Sequence, residues 1–248
     1  MSEQVALITG AASGFGRDLT RVLTGRGVRV LACDVDEDGG AAVAAETGAT
    51  FLRTDVSDPE QSTAAVAAAV DAFGGLDIAF LNAGIVSGTG LGEGFDLVAY
   101  RRAMGVNLDG VVFGINAVVP ALKARGGGVI VCTASLAGLT AVPMDPLYSA
   151  NKHAVVGLVR SLGPSLAADG IRINAVCPGF ADTAIIAPIK GALADMDLPI
   201  IPVSQVTDTV LGLLDGDMTG ECWFVQAGRE SDAFGFRNIP GPRGAPAA

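Results

Sequence analysis

The sequence predicts an α/β protein built on a doubly wound parallel sheet with helices on both faces. Three observations carry this. Short Val/Ile/Leu-rich runs alternate with helix-patterned stretches along most of the chain, the order that joins parallel strands by crossover helices. The runs are mostly Val/Ile/Leu-rich rather than alternating, as strands covered on both faces are. A glycine-rich turn, "TGAASGFG", closes the first run and opens the first helical stretch. No compositional break divides the 248 residues, a length that suits one large α/β domain.

Strands are placed at Val5–Thr9, Val28–Cys33, Thr50–Thr54, Ile78–Leu81, Gly128–Thr133, Arg172–Cys177 and Glu221–Val225. Between them, Val66, Val70 and Phe73 fall at i, i+4, i+7, and Val206, Val210 and Leu213 repeat that spacing, so each set lies on one helical face. Three segments interrupt the alternation. Ile85–Phe95, "IVSGTGLGEGF", is expected to be a loop after the fourth strand. Residues 183–203 carry Pro188, Pro199 and Pro202 and are expected to be irregular or briefly helical. From Arg237 the chain is Pro/Gly-rich. Residues 1–236 are therefore read as a single domain and residues 237–248 as a tail, frayed or lying on a neighbouring subunit. Pro164 lies inside the helix that starts near Tyr148 and predicts a kink near Leu162.

Half of the residues are apolar and 17% are charged, which excludes a disordered chain. The net charge of −10 repels phosphate backbones and argues against a nucleic-acid partner. Cys33, Cys132, Cys177 and Cys222 are widely spaced and the chain has a single His, so no metal site is expected. Three of the four close apolar runs and read as buried free thiols, which suits a reducing cytoplasm. "MSEQ" runs directly into the first strand without a signal-peptide pattern. The longest apolar runs are short for a bilayer crossing, so no membrane partner is expected.

Gly10, Gly14 and Gly16 punctuate the turn between the first strand and the first helix. Glycines there let backbone approach a pyrophosphate, and the helix start supplies N–H donors. Glycines also serve plain tight turns, and only the strand–turn–helix context favours a dinucleotide. Asp34 ends the second strand, 18 residues after Gly16. A carboxylate at this point accepts from both adenosine ribose hydroxyls and repels a 2′-phosphate, which favours NAD over NADP. Arg17, directly after the turn, is the basic residue that opposes this reading, while Arg29 belongs early in its strand. Asp36 and Asp38 fit a solvated helix start.

The pentapeptide "YSANK" places Tyr148 and Lys152 one helical turn apart, about 6 Å along the axis and on one face. The pair reads as a surface accident or as a tuned acid/base. His153 points about 100° away and reads as a packing or interface residue.

Four segments together resemble the short-chain dehydrogenase/reductase family. They are "TGAASGFG", "LNAG" (Leu81–Gly84), Ser135 followed by "YSANK", and "CPGF" with Thr183. The resemblance implies a Rossmann-type sheet of seven strands in the order 3-2-1-4-5-6-7, and a homodimer or homotetramer. It implies catalytic roles for Asn107, Ser135, Tyr148 and Lys152. It implies cofactor contacts from Gly10, Ser13, Gly14, Phe15 and Gly16, from Asp34, Asp55 and Val56, and from Asn82, Ala83 and Gly84. Tyr148, Lys152, Pro178, Gly179, Phe180 and Thr183 complete that set. Leu81 replaces the first Asn of the family's usual pair, and "FVQAGRE" replaces the usual end of the seventh strand.

The implied activity is NAD-linked interconversion of a secondary alcohol and its ketone, with Tyr148 as general acid/base. An ordinary phenol titrates near 10, and bringing it to about 7 takes roughly 3 units, on the order of 4 kcal/mol. The Lys152 ammonium and a bound pyridinium are expected to supply this. Ser135 is expected to hold the substrate oxygen and Asn107 a water beside Lys152. Otherwise Ser135 is a strand-end cap and Asn107 a helix-kink residue. Ile85–Asp96, Leu136–Pro146 and Ala184–Pro202 are expected to line the substrate pocket, with Met144 and Leu147 as walls. Their apolar content points to an apolar alcohol or ketone. A non-catalytic dinucleotide-binding sensor or scaffold and an NADPH-dependent ketoreductase are the alternative readings.

Overall fold

The computed structural model describes residues 4–237. Its strands are β1 (Val5–Thr9), β2 (Arg29–Asp34), β3 (Thr50–Arg53), β4 (Ile78–Leu81), β5 (Gly128–Thr133), β6 (Ile171–Pro178), β7 (Cys222–Val225) and β8 (Asp232–Ala233). Its α-helices are α1 (Gly14–Gly25), α2 (Glu37–Thr47), α3 (Pro59–Phe73), α4 (Leu97–Met104), α5 (Gly110–Arg125), α6 (Pro146–Leu166), α7 (Lys190–Asp195) and α8 (Val203–Asp215). A π-helical turn, Gly105–Asp109, joins α4 to α5. The strand order is β3-β2-β1-β4-β5-β6-β7-β8. The chain order reverses between β1 and β4, the crevice where ligands bind in such sheets.

All pairings through β7 are parallel, and a row of apolar residues runs across the sheet in register. Leu7 pairs with Leu31 and Ala79, Ala79 with Ile130, and Ile130 with Ile173. Side chains alternate between faces along each strand, and each face has its own core. Val5 and Leu7 pack with α3, α5 and α6 through Val66, Ile115, Val118 and Val155. Ala6 and Ile8 pack with α1 and α8 through Leu19, Leu23, Val206 and Val210. Each fully buried Leu, Ile or Val side chain contributes about 1.5–3 kcal/mol. This explains why the predicted strands and helical faces were legible as apolar runs and spacings.

Local signals fix the ends of these elements. Asp36 caps α2 by accepting from the Gly39 N–H, and Gly48 closes it at φ 78°. Asp58 caps α3, Pro59 opens it and Gly74 ends it at φ 83°. Arg29 starts β2 and lies over the Phe73 ring, 4.4 Å from its centroid, away from the sheet's ligand edge.

Three expectations change, and one departure from the family pattern finds its place. The sheet has an eighth strand: after Gly228 the chain returns and β8 pairs antiparallel with β7, Asp232 opposite Phe224. Two residues are too few to show a period in sequence. The kink expected near Leu162 does not interrupt α6, because Pro164 occupies its last turn and costs a bond only near the end. Leu81, in place of Asn, is buried in the core and lies against Gly114 of α5, where a Cβ would come within 2.8 Å of it. Finally, the continuous helical stretch Leu97–Arg125 is long and apolar enough by composition to cross a membrane. Its apolar residues Val111, Ile115, Val118 and Leu122 are instead spent on the sheet core. The loop Ile85–Phe95 and the broken segment 183–203 are as expected. The tail lies outside the described residues beyond Arg237.

Candidate active site

One cleft of about 1360 Å³ lies along the ligand edge of the sheet. Apart from Gly16, every expected cofactor residue lines it, and Ser135 does too. Gly10, Ser13, Gly14 and Phe15 border one end together with Asp34, Asp55 and Val56. Thr183 reaches across to Gly14, where an added Cβ would lie 3.2 Å from its Cγ2.

The turn is built for close approach. Gly10 has φ 65°, and a Cβ there would meet Asn82 Nδ2 at 2.9 Å. Gly16 lies beneath the turn rather than in the cleft: its Cβ would stand 2.1 Å from the Gly10 carbonyl oxygen. Its function is helix-on-turn packing. Ser13 precedes α1 in extended conformation with its hydroxyl uninvolved in capping and exposed, so hydroxyl and helix start both face the cleft. These features fit a dinucleotide phosphate group.

Asp34 ties the turn to β2. Its Oδ2 accepts from the Ala12 N–H at 2.9 Å and its Oδ1 from the Asp36 N–H at 3.0 Å. Each oxygen retains acceptor capacity toward the cleft. Arg17 is drawn away to Glu46 at 2.6 Å and does not line the cleft. At the Asp34 end of the cleft stands Arg53, the register partner of Asp34 on β3, which faces Glu37 at 3.4 Å. Sequence distance concealed it. Asn82 joins three strands: its Nδ2 donates to the Thr9 carbonyl, and its Oδ1 accepts from the Thr133 hydroxyl.

Helix α6 delivers Tyr148 and Lys152 to the middle of the cleft. Its start is fixed by Asp145, whose Oδ1 accepts from the Tyr148 N–H at 2.9 Å, with Pro146 next. Ser149 donates to the Ala137 carbonyl, and Gly138 lets the turn after β5 pass within 2.6 Å (Cβ position) of the Lys152 carbonyl. The Ser135 hydroxyl accepts from the Ala137 N–H, donates to the Pro178 carbonyl at 3.3 Å and acts to lower the titration of the Tyr148 phenol. It is a cap and a site group together. Lys152 Nζ stands 5.6 Å from the Tyr148 ring centroid.

The protein's own groups set the starting electrostatics of the site. Burial pushes the phenol up to about 12, the Ser135 hydrogen bond opposes this, and the Asp145 charge adds to it. The Tyr148 residue as a whole is half-buried. Burial also brings the Lys152 ammonium down to about 8, against the Cys177 and Cys132 thiols. Lys152 Nζ donates to the Thr133 carbonyl at 2.8 Å. The protein alone thus holds the phenol protonated; its acidification needs the charge of a bound ligand.

Asn107 lies outside the cleft lining, in the π-helical turn. Its Oδ1 accepts from the Ile85 N–H and its Nδ2 donates to the Ile85 carbonyl, both at 2.8 Å. The side chain clamps the loop after β4, so the expected water carrier at Lys152 is, at its carboxamide, a backbone clamp. The three expected substrate segments all contribute to the outer cleft, through residues such as Val86, Val142, Met144, Ile185 and Leu198. Leu147 does not; one residue from Tyr148, it points about 100° away. Sequence reasoning missed the Thr133 carbonyl, for which no sequence signal exists, and Asp145, which the Asp-Pro helix-start pattern signals.

Residues 4–193 match the short chain dehydrogenase family. The chain belongs to that family. Dehydrogenases of this kind are oxidoreductases that bind a nicotinamide dinucleotide, and the glycine cradle described above accommodates one. Cyclohexanol dehydrogenase of Acinetobacter sp. (strain SE19) is 39% identical over 235 residues, 90% of this chain and 94% of that one. The solved 3-ketoacyl-(acyl-carrier-protein) reductase of Brucella melitensis, complexed with NADH, superposes with TM-score 0.86 at 29% identity, covering 92% of this chain and 99% of that one. An actinorhodin polyketide ketoreductase variant with NADPH superposes with TM-score 0.84 at 31% identity, over 92% and 98%. All four described cysteines of this short-chain dehydrogenase are buried free thiols.

Proposed function

We propose that this dehydrogenase interconverts an apolar secondary alcohol and its ketone with NAD(H), Tyr148 exchanging the proton at the substrate oxygen. The observation that carries the reading is the convergence of Ser135, Tyr148 and Lys152 on one cleft, with Lys152 Nζ 5.6 Å from the phenol ring centroid. When bound, the nicotinamide supplies the hydride acceptor or donor and, when oxidised, a positive charge. Ser135 holds the substrate oxygen in line with the phenol and stabilises charge there. Tyr148 takes the hydroxyl proton in oxidation and returns it in reduction. Lys152, fixed by the Thr133 carbonyl, favours phenolate and holds the nicotinamide ribose hydroxyls. Asn107 fixes the wall at Ile85.

NAD rather than NADP is supported by the Asp34 carboxylate in the cleft and by the diversion of Arg17 to Glu46. Arg53 is a cation at that end, and Glu37 engages it. An apolar alcohol is supported by the outer wall and by the likeness to a cyclohexanol dehydrogenase. The buried thiols support a reducing, cytoplasmic setting. Exposed Val98 and Val112 on α4 and α5 support a homo-oligomer.

The test is dinucleotide reduction followed by absorbance with NAD or NADP and a panel of alicyclic and open-chain secondary alcohols. Tyr148→Phe is expected to lose roughly 10²–10⁴ in kcat while binding NADH as the parent does. A variant as fast as the parent removes Tyr148 from the chemistry.

A further inference from the structure

Asp145 does more than cap a helix. Its carboxylate holds two separate segments at once. Oδ1 accepts from the Tyr148 N–H at 2.9 Å and from the Ser87 hydroxyl at 2.6 Å, and Oδ2 accepts from the Ser87 N–H at 3.1 Å. Ser87 is only 3% exposed and belongs to the loop after β4. Two residues earlier, Ile85 of the same loop is clamped by both polar atoms of Asn107. Between the two clamped residues stands Val86, half-exposed and lining the outer cleft. A hydroxyl donating to a carboxylate at this length is a strong, charge-assisted hydrogen bond.

We propose that Asp145 is a positioning residue of the reaction: it ties the Ser87 loop, and with it the Val86 wall, to the helical turn that presents Tyr148. The proposal rests on the alcohol/ketone reading above. A substrate carbon resting on Val86 then has its distance to the phenol set through one side chain, and misplacement of a reacting group by an ångström costs rate steeply. The same negative charge opposes ionisation of Tyr148. The other groups around the phenol are the Ser135 hydroxyl after β5 and Lys152 one turn along α6, with Arg101 and Arg102 of α4 on the same cleft.

Two variants separate the roles. Ser87→Ala removes the hydroxyl bond of the loop tie, keeping the backbone N–H bond, and leaves the charge; Asp145→Asn removes the charge and keeps an acceptor for the helix cap. Three readouts apply: hydrogen–deuterium exchange, ¹³Cζ-tyrosine titration of the NAD complex, and steady-state kinetics. The chain has two tyrosines, so Tyr148→Phe assigns the resonance. Both variants are expected to exchange faster at residues 85–90 and to raise KM for the alcohol roughly 3–10-fold with a smaller change in kcat. Only Asp145→Asn is expected to lower the Tyr148 midpoint, by about half a unit or more. Parental exchange and KM in both variants, or an unmoved midpoint in Asp145→Asn, overturns the proposal. If the parent oxidises no alcohol with either dinucleotide, the alcohol reading falls, while exchange and titration still decide the role of Asp145.

Discussion

The Lys152 ammonium donates at 2.8 Å to the backbone carbonyl of Thr133, the last residue of β5. A cation from α6 is thereby pinned to the sheet edge with 2% of its surface exposed. One carbonyl does not replace the lost hydration, and its titration falls from 10.5 to about 8.

That depression has a sign. Between pH 8 and 10.5 the unfolded chain binds the Lys152 proton and the folded one does not, so this group adds stability as pH rises. Burying the cation costs on the order of 3 kcal/mol below pH 8, relieved by pH 10.5. The stability difference between the parent and Lys152→Met, from urea unfolding at several pH values, is expected to move in the parent's favour across this window. A difference flat from pH 7 to 10.5 contradicts a depressed Lys152.

Ser135→Ala removes the hydroxyl that acts to lower the phenol's titration. Kcat is expected to fall roughly 10²–10³-fold, and the Tyr148 midpoint to rise. NADH affinity, read by fluorescence titration, should stay at the parent value. A kcat near the parent's makes Ser135 a strand-end cap alone.

Gly16→Ala places a methyl 2.1 Å from the Gly10 carbonyl oxygen, a backbone atom held against the sheet. Overpacking of this kind costs about 1–3 kcal/mol. A lower melting temperature and loss of NADH binding are expected together, since the displaced turn is the phosphate cradle. Intact binding would mean that the turn yields without loss of its shape.

Asp34→Ala deletes the carboxylate at the adenosine end and leaves Arg53 on the neighbouring strand. The ratio of kcat/KM for NAD over NADP is expected to drop at least about tenfold, a change of about 1.4 kcal/mol. Because Asp34 also holds the Ala12 N–H, both cofactors should weaken somewhat. An unchanged ratio refutes selection by Asp34.

Much of the molecule was written locally. The central strands β1, β4 and β5 are apolar because both sheet faces are covered, and that continuity is visible residue by residue. Asp36, Asp58 and Gly74 cap their helices through neighbours two to four positions away. Gly10 and Gly14 announce a turn, and Tyr148 and Lys152 share a face through helical period alone. The two-residue β8 carries too little pattern, and a proline reads as a kink until its place in the last turn of α6 is known.

By itself, then, the sequence determined the sheet, its helices and the residues gathered along one edge, because periodicity and capping are short-range physics. Only the tertiary structure decided what those residues do to one another. It sent Arg17 to Glu46 and set Arg53 beside Asp34. It spent the Asn107 carboxamide on Ile85 and joined Ser87 to Asp145 across 58 positions. It also set the direction in which the protein alone moves the phenol, upward, because desolvation depends on what surrounds a group in space and not on what precedes it in the chain.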